Sequence, residues 1–135
     1  MIQVNRPNLN SGIIAVVDDD EPLREALGSV LKAAGFSVNT FPSAEDFLDS
    51  DRRNTSCLIL DMRLPGMSGA ELHRRLLDAN STLPIIFVTA HGDASLRDLV
   101  MKTGASAFLN KPVRSDALLR EIRTALAKNR TDNRS

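Results

Sequence analysis

The chain has 135 residues, 17 basic and 17 acidic side chains, and a formal net charge of zero. At roughly 100–200 residues per domain this is one domain, and its neutrality speaks against a module that wraps nucleic acid, which needs a basic stripe. The absence of Trp and Tyr weighs against stacking platforms for bases or flavin rings. The single cysteine, Cys57, excludes an intrachain disulfide framework and fits a reducing compartment. No apolar run reaches the length of a bilayer span or a signal-peptide core, so no membrane partner and a cytoplasmic location are expected.

Residues 1–12 are polar, with Pro7 and Gly12, and read as a flexible N-terminal arm. Ile13 to Val17 is a continuous apolar run, which suits a strand covered on both faces. Leu23, Ala26, Leu27, Val30 and Leu31 then recur with helical spacing, with Pro22 at the start and Gly35 as the stop. Residues 36–40 alternate as an edge-like strand. Ser43 with Asp46, and Ser68 with Glu71, resemble capping boxes that open two further helices. The first carries Phe47 and Leu48; the second carries Leu72, Leu76 and Ala79 on one stripe, with His73 placed on its polar side. Residues 57–60 and 85–88 are two more buried-type strands, and 106–109 is a weaker fifth. Leu96, Leu99 and Val100 mark a fourth helix; Leu118, Ile122, Ala125 and Leu126 mark a fifth. Residues 129–135 read as a disordered polar tail, leaving 13–128 as the folded domain.

Strand and helix thus alternate five times. Short connections between them demand a parallel sheet with right-handed crossovers and helices on both faces, an α/β doubly wound sandwich. Ligands of such sheets bind beyond the carboxyl ends of the strands. There the sequence places Asp18, Asp19 and Asp20 after strand one, Asp61 after strand three, Thr89 after strand four and Lys111 after strand five. Crowded carboxylates resist ionisation unless a cation joins them, and clustered oxygen ligands suit Mg²⁺. Each residue also has a plainer reading. The aspartate triplet could cap the helix at Pro22, Asp61 could belong to a turn, Thr89 could cap a helix, and Lys111 could be a surface lysine. Their coincidence at one end of four strands favours a site.

These segments carry a family resemblance. VVDDDEPLREAL, LILDMRLPGMSGAEL, IIFVTAHGD and GASAFLNKPV resemble the receiver domain of two-component response regulators, in order and at similar spacing. The similarity runs from Ile13 to Lys128 and is strongest to receivers of nitrogen-fixation regulators with a LuxR-type output domain. It implies a flavodoxin-like (βα)5 fold with strand order 2-1-3-4-5. It implies that Asp61 accepts a phosphoryl group from a phosphohistidine of a sensor histidine kinase or phosphotransfer protein. Asp18, Asp19, Asp61 and the Arg63 backbone carbonyl would hold Mg²⁺ or Mn²⁺. Thr89 and Lys111 would bind phosphoryl oxygens, Thr89 and Phe108 would form the switch, and the Lys111–Pro112 bond would be cis. The implied acceptor role would make the chain a self-phosphorylating signal carrier, not a turnover enzyme.

Arg63 and His91 stand where receivers tune hydrolysis, and neither suits the orientation of water, so slow autodephosphorylation is expected. The surface of the fourth helix, fifth strand and fifth helix would carry the signal, by contact with an unknown partner or by a phosphorylation-dependent homodimer. The output is either that of a stand-alone regulator or of a C-terminal output domain outside this sequence, such as a DNA-binding one. Two other classes share the fold. A flavodoxin-like cofactor carrier needs a hydroxyl- and glycine-rich phosphate loop where this chain has three aspartates. An aspartyl-phosphate phosphatase needs Asp-x-Asp where this chain has Asp61-Met62-Arg63.

Overall fold

The computed structural model describes residues 12–90 and 94–134, with side chains to 129. Ten elements alternate: β1 Ile13–Val17, α1 Glu21–Ala33, β2 Ser37–Phe41, α2 Ala44–Asp49, β3 Thr55–Asp61, α3 Gly69–Asp78, β4 Ile85–Thr89, α4 Ala94–Lys102, β5 Ala107–Asn110 and α5 Ser115–Arg134. The five strands form one parallel sheet in the order β2-β1-β3-β4-β5. Strand order therefore reverses between β1 and β3, where an open α/β sheet splays its loops apart.

Alternate residues of the apolar runs feed opposite faces of the sheet. Ile14, Val16, Cys57, Ile59, Ile86 and Val88 pack against Leu27 and Leu31 of α1 and Leu118 and Ile122 of α5. Ala15, Val17, Leu58, Leu60 and Phe87 pack against Phe47 of α2, Leu72 and Leu76 of α3 and Val100 of α4. The central strands are thus buried on both sides, which explains their unbroken apolar sequence. Burial also pushes the Cys57 thiol up to about 12, so it behaves as a small core hydrophobe.

The helix starts follow the expected chemistry. The side chains of Asp20, Ser43 and Ser68 accept hydrogen bonds from the N–H groups of Leu23, Asp46 and Glu71. Three details differ from the sequence reading. Ala79 is the exposed C-cap of α3, one residue past the end of the helix and three past the last buried residue, Leu76. His73 is buried, not on a polar face, because it shares the i, i+3, i+4, i+7 stripe of Gly69, Leu72 and Leu76. And α5 continues to Arg134, past the expected boundary at 128; the segment contains no Gly or Pro to stop it.

Candidate functional site

The carboxyl ends of β1, β3, β4 and β5 converge on one rim. Asp18 follows β1 directly and is 2% exposed; its N–H donates to the Phe41 carbonyl at the end of β2. Asp61 is the last residue of β3 and Thr89 the last of β4, both buried. Lys111 follows β5, and its backbone N–H donates to the Thr89 carbonyl at 2.7 Å. That bond ties the hydroxyl-bearing and ammonium-bearing strand ends together. The Lys111–Pro112 peptide is cis.

The three aspartates after β1 divide their work. Asp20 caps α1. Asp18 and Asp19, with Asp61, bring carboxylate oxygens within 4.8 Å of one another. The cap of α1 is therefore Asp20 and not either neighbour. Lys111 Nζ lies 3.0 Å from Asp18 Oδ2 and 3.0 Å from Asp61 Oδ2, and so bridges two buried acids. The Arg63 N–H donates to Asp61 Oδ1 at 3.0 Å, which fixes the carboxylate plane.

Three carboxylates gather here, and Lys111 bridges two of them. Burial pushes the Asp61 carboxyl above its ordinary value; the Arg63 N–H and Lys111 draw it back only in part, and Asp18 adds repulsion. Burial alone would lower Lys111, but its hydrogen bonds to Asp18 and Asp61 more than reverse this and leave it above its usual value. The raised Asp61 thus follows from burial first, with Asp18 a smaller contribution; the surplus of negative charge lies in the geometry, three carboxylates gathered about one ammonium. Oxygen donors of this kind, partly open at the exposed Asp19, fit a hard divalent cation.

Phe108 of β5 is half-buried beside the core, with its ring 6.4 Å from that of Phe87. Arg63 is at the surface. His91 lies outside the described residues. A groove of about 700 Å³ lined by Leu48, Arg52, Thr55 and Pro84 lies at the opposite end of the sheet from Asp61. The acidic rim is buried at Asp18, Asp61 and Thr89 and exposed at Asp19.

The family model of the response regulator receiver domain matches residues 14–123. The chain belongs to the response regulator receiver family. The receiver is 42% identical over 127 residues to the response regulator protein TmoT of Ectopseudomonas mendocina, covering 92% of this chain and 58% of that one. It is 40% identical over 116 residues to the transcriptional regulatory protein FixJ of Bradyrhizobium diazoefficiens, covering 85% and 57%. Among solved structures, the response regulator StyR superposes with a TM-score of 0.84 at 43% identity, over 92% of this chain and 63% of that one. The receiver thus spans little more than half the length of the curated relatives it matches. Membership sets aside the flavodoxin-like carrier and the phosphatase. No helix of the described residues is long and apolar enough to cross a membrane.

Three residues that shape the site gave no signal in the sequence. Arg24, one turn into α1, donates from its guanidinium to the Asp18 carbonyl at 2.7 Å and holds the acidic loop against the helix. Gly69 lets the start of α3 abut Asp61; a Cβ there would collide with the Asp61 carbonyl oxygen. Glu45 of α2 accepts from the Met67 N–H at 2.9 Å. Two of these act on backbone groups and one by having no side chain, and neither kind of contact leaves a residue pattern.

Proposed function

We propose that the receiver takes a phosphoryl group onto Asp61 from a phosphohistidine of a sensor histidine kinase or phosphotransfer protein. The observation that carries this reading is the Asp61 carboxylate, buried at a strand end with a lysine and two further carboxylates around it. An Asp61 oxygen would attack phosphorus in line. The new bond is O–P, the donor N–P bond breaks, and the imidazole nitrogen keeps the electron pair and takes a proton. The product is an aspartyl phosphate. Such a transfer asks for positioning and charge stabilisation more than for covalent chemistry. Lys111 would neutralise one phosphoryl oxygen and the Thr89 hydroxyl would donate to another. Asp18, Asp19, Asp61 and the Arg63 carbonyl would hold Mg²⁺ or Mn²⁺, which when bound offsets charge on the transferring group.

The added charge would draw Thr89 towards the phosphoryl group and free space for Phe108 to turn inward. The α4–β5–α5 surface would then change. Leu99 and Met101 of α4 are 54% and 40% exposed, which supports this face as the docking surface for a partner or a second copy. Relatives that carry the words transcriptional regulatory protein support control of transcription through an output domain, in the cytoplasm. Arg63 and His91 support slow loss of the phosphoryl group, since neither is an acid or amide that would orient water. In the same reading the receiver begins at 13, and its last helix runs on past 128.

The reading is tested with a small acyl phosphate and Mg²⁺. Wild type should gain one hydroxylamine-labile phosphoryl group per chain and Asp61→Asn should gain none. Equal labelling of the variant would overturn the assignment.

A further inference from the structure

The segment from Met62 to Ser68 borders the acidic rim directly after Asp61. It joins β3 to α3 and carries Arg63. Its two ends close on each other, since the Gly69 N–H donates to the Met62 carbonyl at 3.0 Å. Leu64 and Met67 turn their side chains down into the core beside Phe47. The far side of the loop is pinned from another element. The Met67 N–H donates to Glu45 Oε2 at 2.9 Å, across 22 residues of sequence. Gly66, at φ +76°, makes room for that carboxylate; a Cβ at Gly66 would sit 2.5 Å from the same oxygen. The bond also holds the Glu45 carboxyl below its ordinary value.

We propose that Glu45 is a positioning residue of the phosphoryl site: through Met67 it fixes the loop whose Arg63 carbonyl and N–H address the metal and Asp61. Glu45 touches neither Asp61 nor the cation position and acts only through the loop. This rests on the reading of Asp18, Asp19, Asp61 and Arg63 as the metal-binding set. The logic is that of partners that orient metal ligands, whose loss weakens binding by about 10–100-fold. Glu45 is exposed, so water competes for the Met67 N–H and the low end of that range applies. A loop freed at Met67 samples positions in which the Arg63 carbonyl is turned from the rim, and each must be reversed before the cation is bound.

The test is calorimetric titration of the full chain with Mg²⁺, with amide hydrogen exchange at Met67 read in parallel without metal. Glu45→Ala should bind Mg²⁺ roughly tenfold more weakly and should exchange the Met67 amide faster. Glu45→Gln keeps an oxygen that accepts the same N–H and should stay near wild type in both. Unchanged affinity in Glu45→Ala, with faster Met67 exchange, would overturn the proposal, since the loop would be free without consequence. Equal losses in the Ala and Gln variants would also overturn it, because they would assign the effect to charge. Asp19→Ala in the same titration separates the two levels of the account. If it binds like wild type, the metal-binding set itself is wrong; if binding collapses, the Glu45 results stand alone.

Discussion

Lys111 is the one cation within 3.0 Å of the carboxylates of both Asp18 and Asp61 among the described residues, so its removal exposes the charge imbalance of the rim. Lys111→Met keeps most of the apolar stem and deletes the ammonium. The structure shows two bridging contacts of 3.0 Å each, to side chains only 3% and 7% exposed. A hydrogen bond to a charged group is worth about 1.5–3 kcal/mol, and breaking a buried pair from one side costs about 3–5 kcal/mol. The lysine side chain keeps 19% of its exposure, so the lower bound applies, about 3 kcal/mol. For a domain of this size that lowers Tm by roughly 10 °C.

The loss should depend on pH in a definite direction. The folded-state pKa of Asp61 is already above its ordinary value, by burial first, and losing Lys111 raises it further. A carboxyl raised on folding contributes stability that is fully present below its unfolded value, about 3.9, and is lost as pH rises through the folded value. The deficit of Lys111→Met should therefore be small near pH 4 and grow towards pH 7. Mg²⁺ should recover part of it, since the cation replaces the missing charge. Urea denaturation of both proteins across this range, with chelator and then with Mg²⁺, measures all three effects. A deficit under about 1 kcal/mol at pH 7, or one that is equal at both ends of the range, would refute the charge-surplus argument.

Other outcomes follow from single contacts. Gly69→Ala should cost about 1–3 kcal/mol in urea unfolding, because the added methyl would lie 3.0 Å from Met62 Cα and collide with the Asp61 carbonyl oxygen; an unchanged midpoint would contradict the close approach. His73 should titrate below its ordinary value by NMR, because burial opposes its charge and its Nδ1 has no partner. Its stabilising effect should be full above about pH 6.5 and decline as pH falls through the folded value; a ring pKa at or above 6.5 would contradict this. Arg63→Asn should shorten the lifetime of the phosphorylated chain, followed by loss of label; an unchanged lifetime would remove Arg63 from control of hydrolysis.

Much of the fold was legible because the central strands are covered on both faces. Ile13 to Val17 and residues 57–60 and 85–88 admit no polar residue, and strands of that kind belong to parallel sheets. The site was legible for a related reason: in such a sheet the residues that follow the apolar runs must meet at one rim. What stayed hidden depended on direction or on the backbone. Asp18, Asp19 and Asp20 are identical in sequence, and only the path of the chain gathers two of them with Asp61 and makes the third a cap. Leu99 has apolar spacing yet is 54% exposed, because α4 buries only Val100 fully. His73 reads as polar, but its position on the stripe of Leu72 and Leu76 puts it inside, with Nε2 3.0 Å from Thr103 Oγ1. Arg24 and Glu45 bond to main-chain groups, which no spacing of residue types reveals.

The central claim is that Asp61 is the phosphoryl acceptor. The direct measurement is peptide mass spectrometry of the chain after treatment with a small acyl phosphate and Mg²⁺. The account predicts one added phosphoryl group, removed by hydroxylamine and located on Asp61. A phosphoryl group located on any other residue, with Asp61 unmodified, would contradict it.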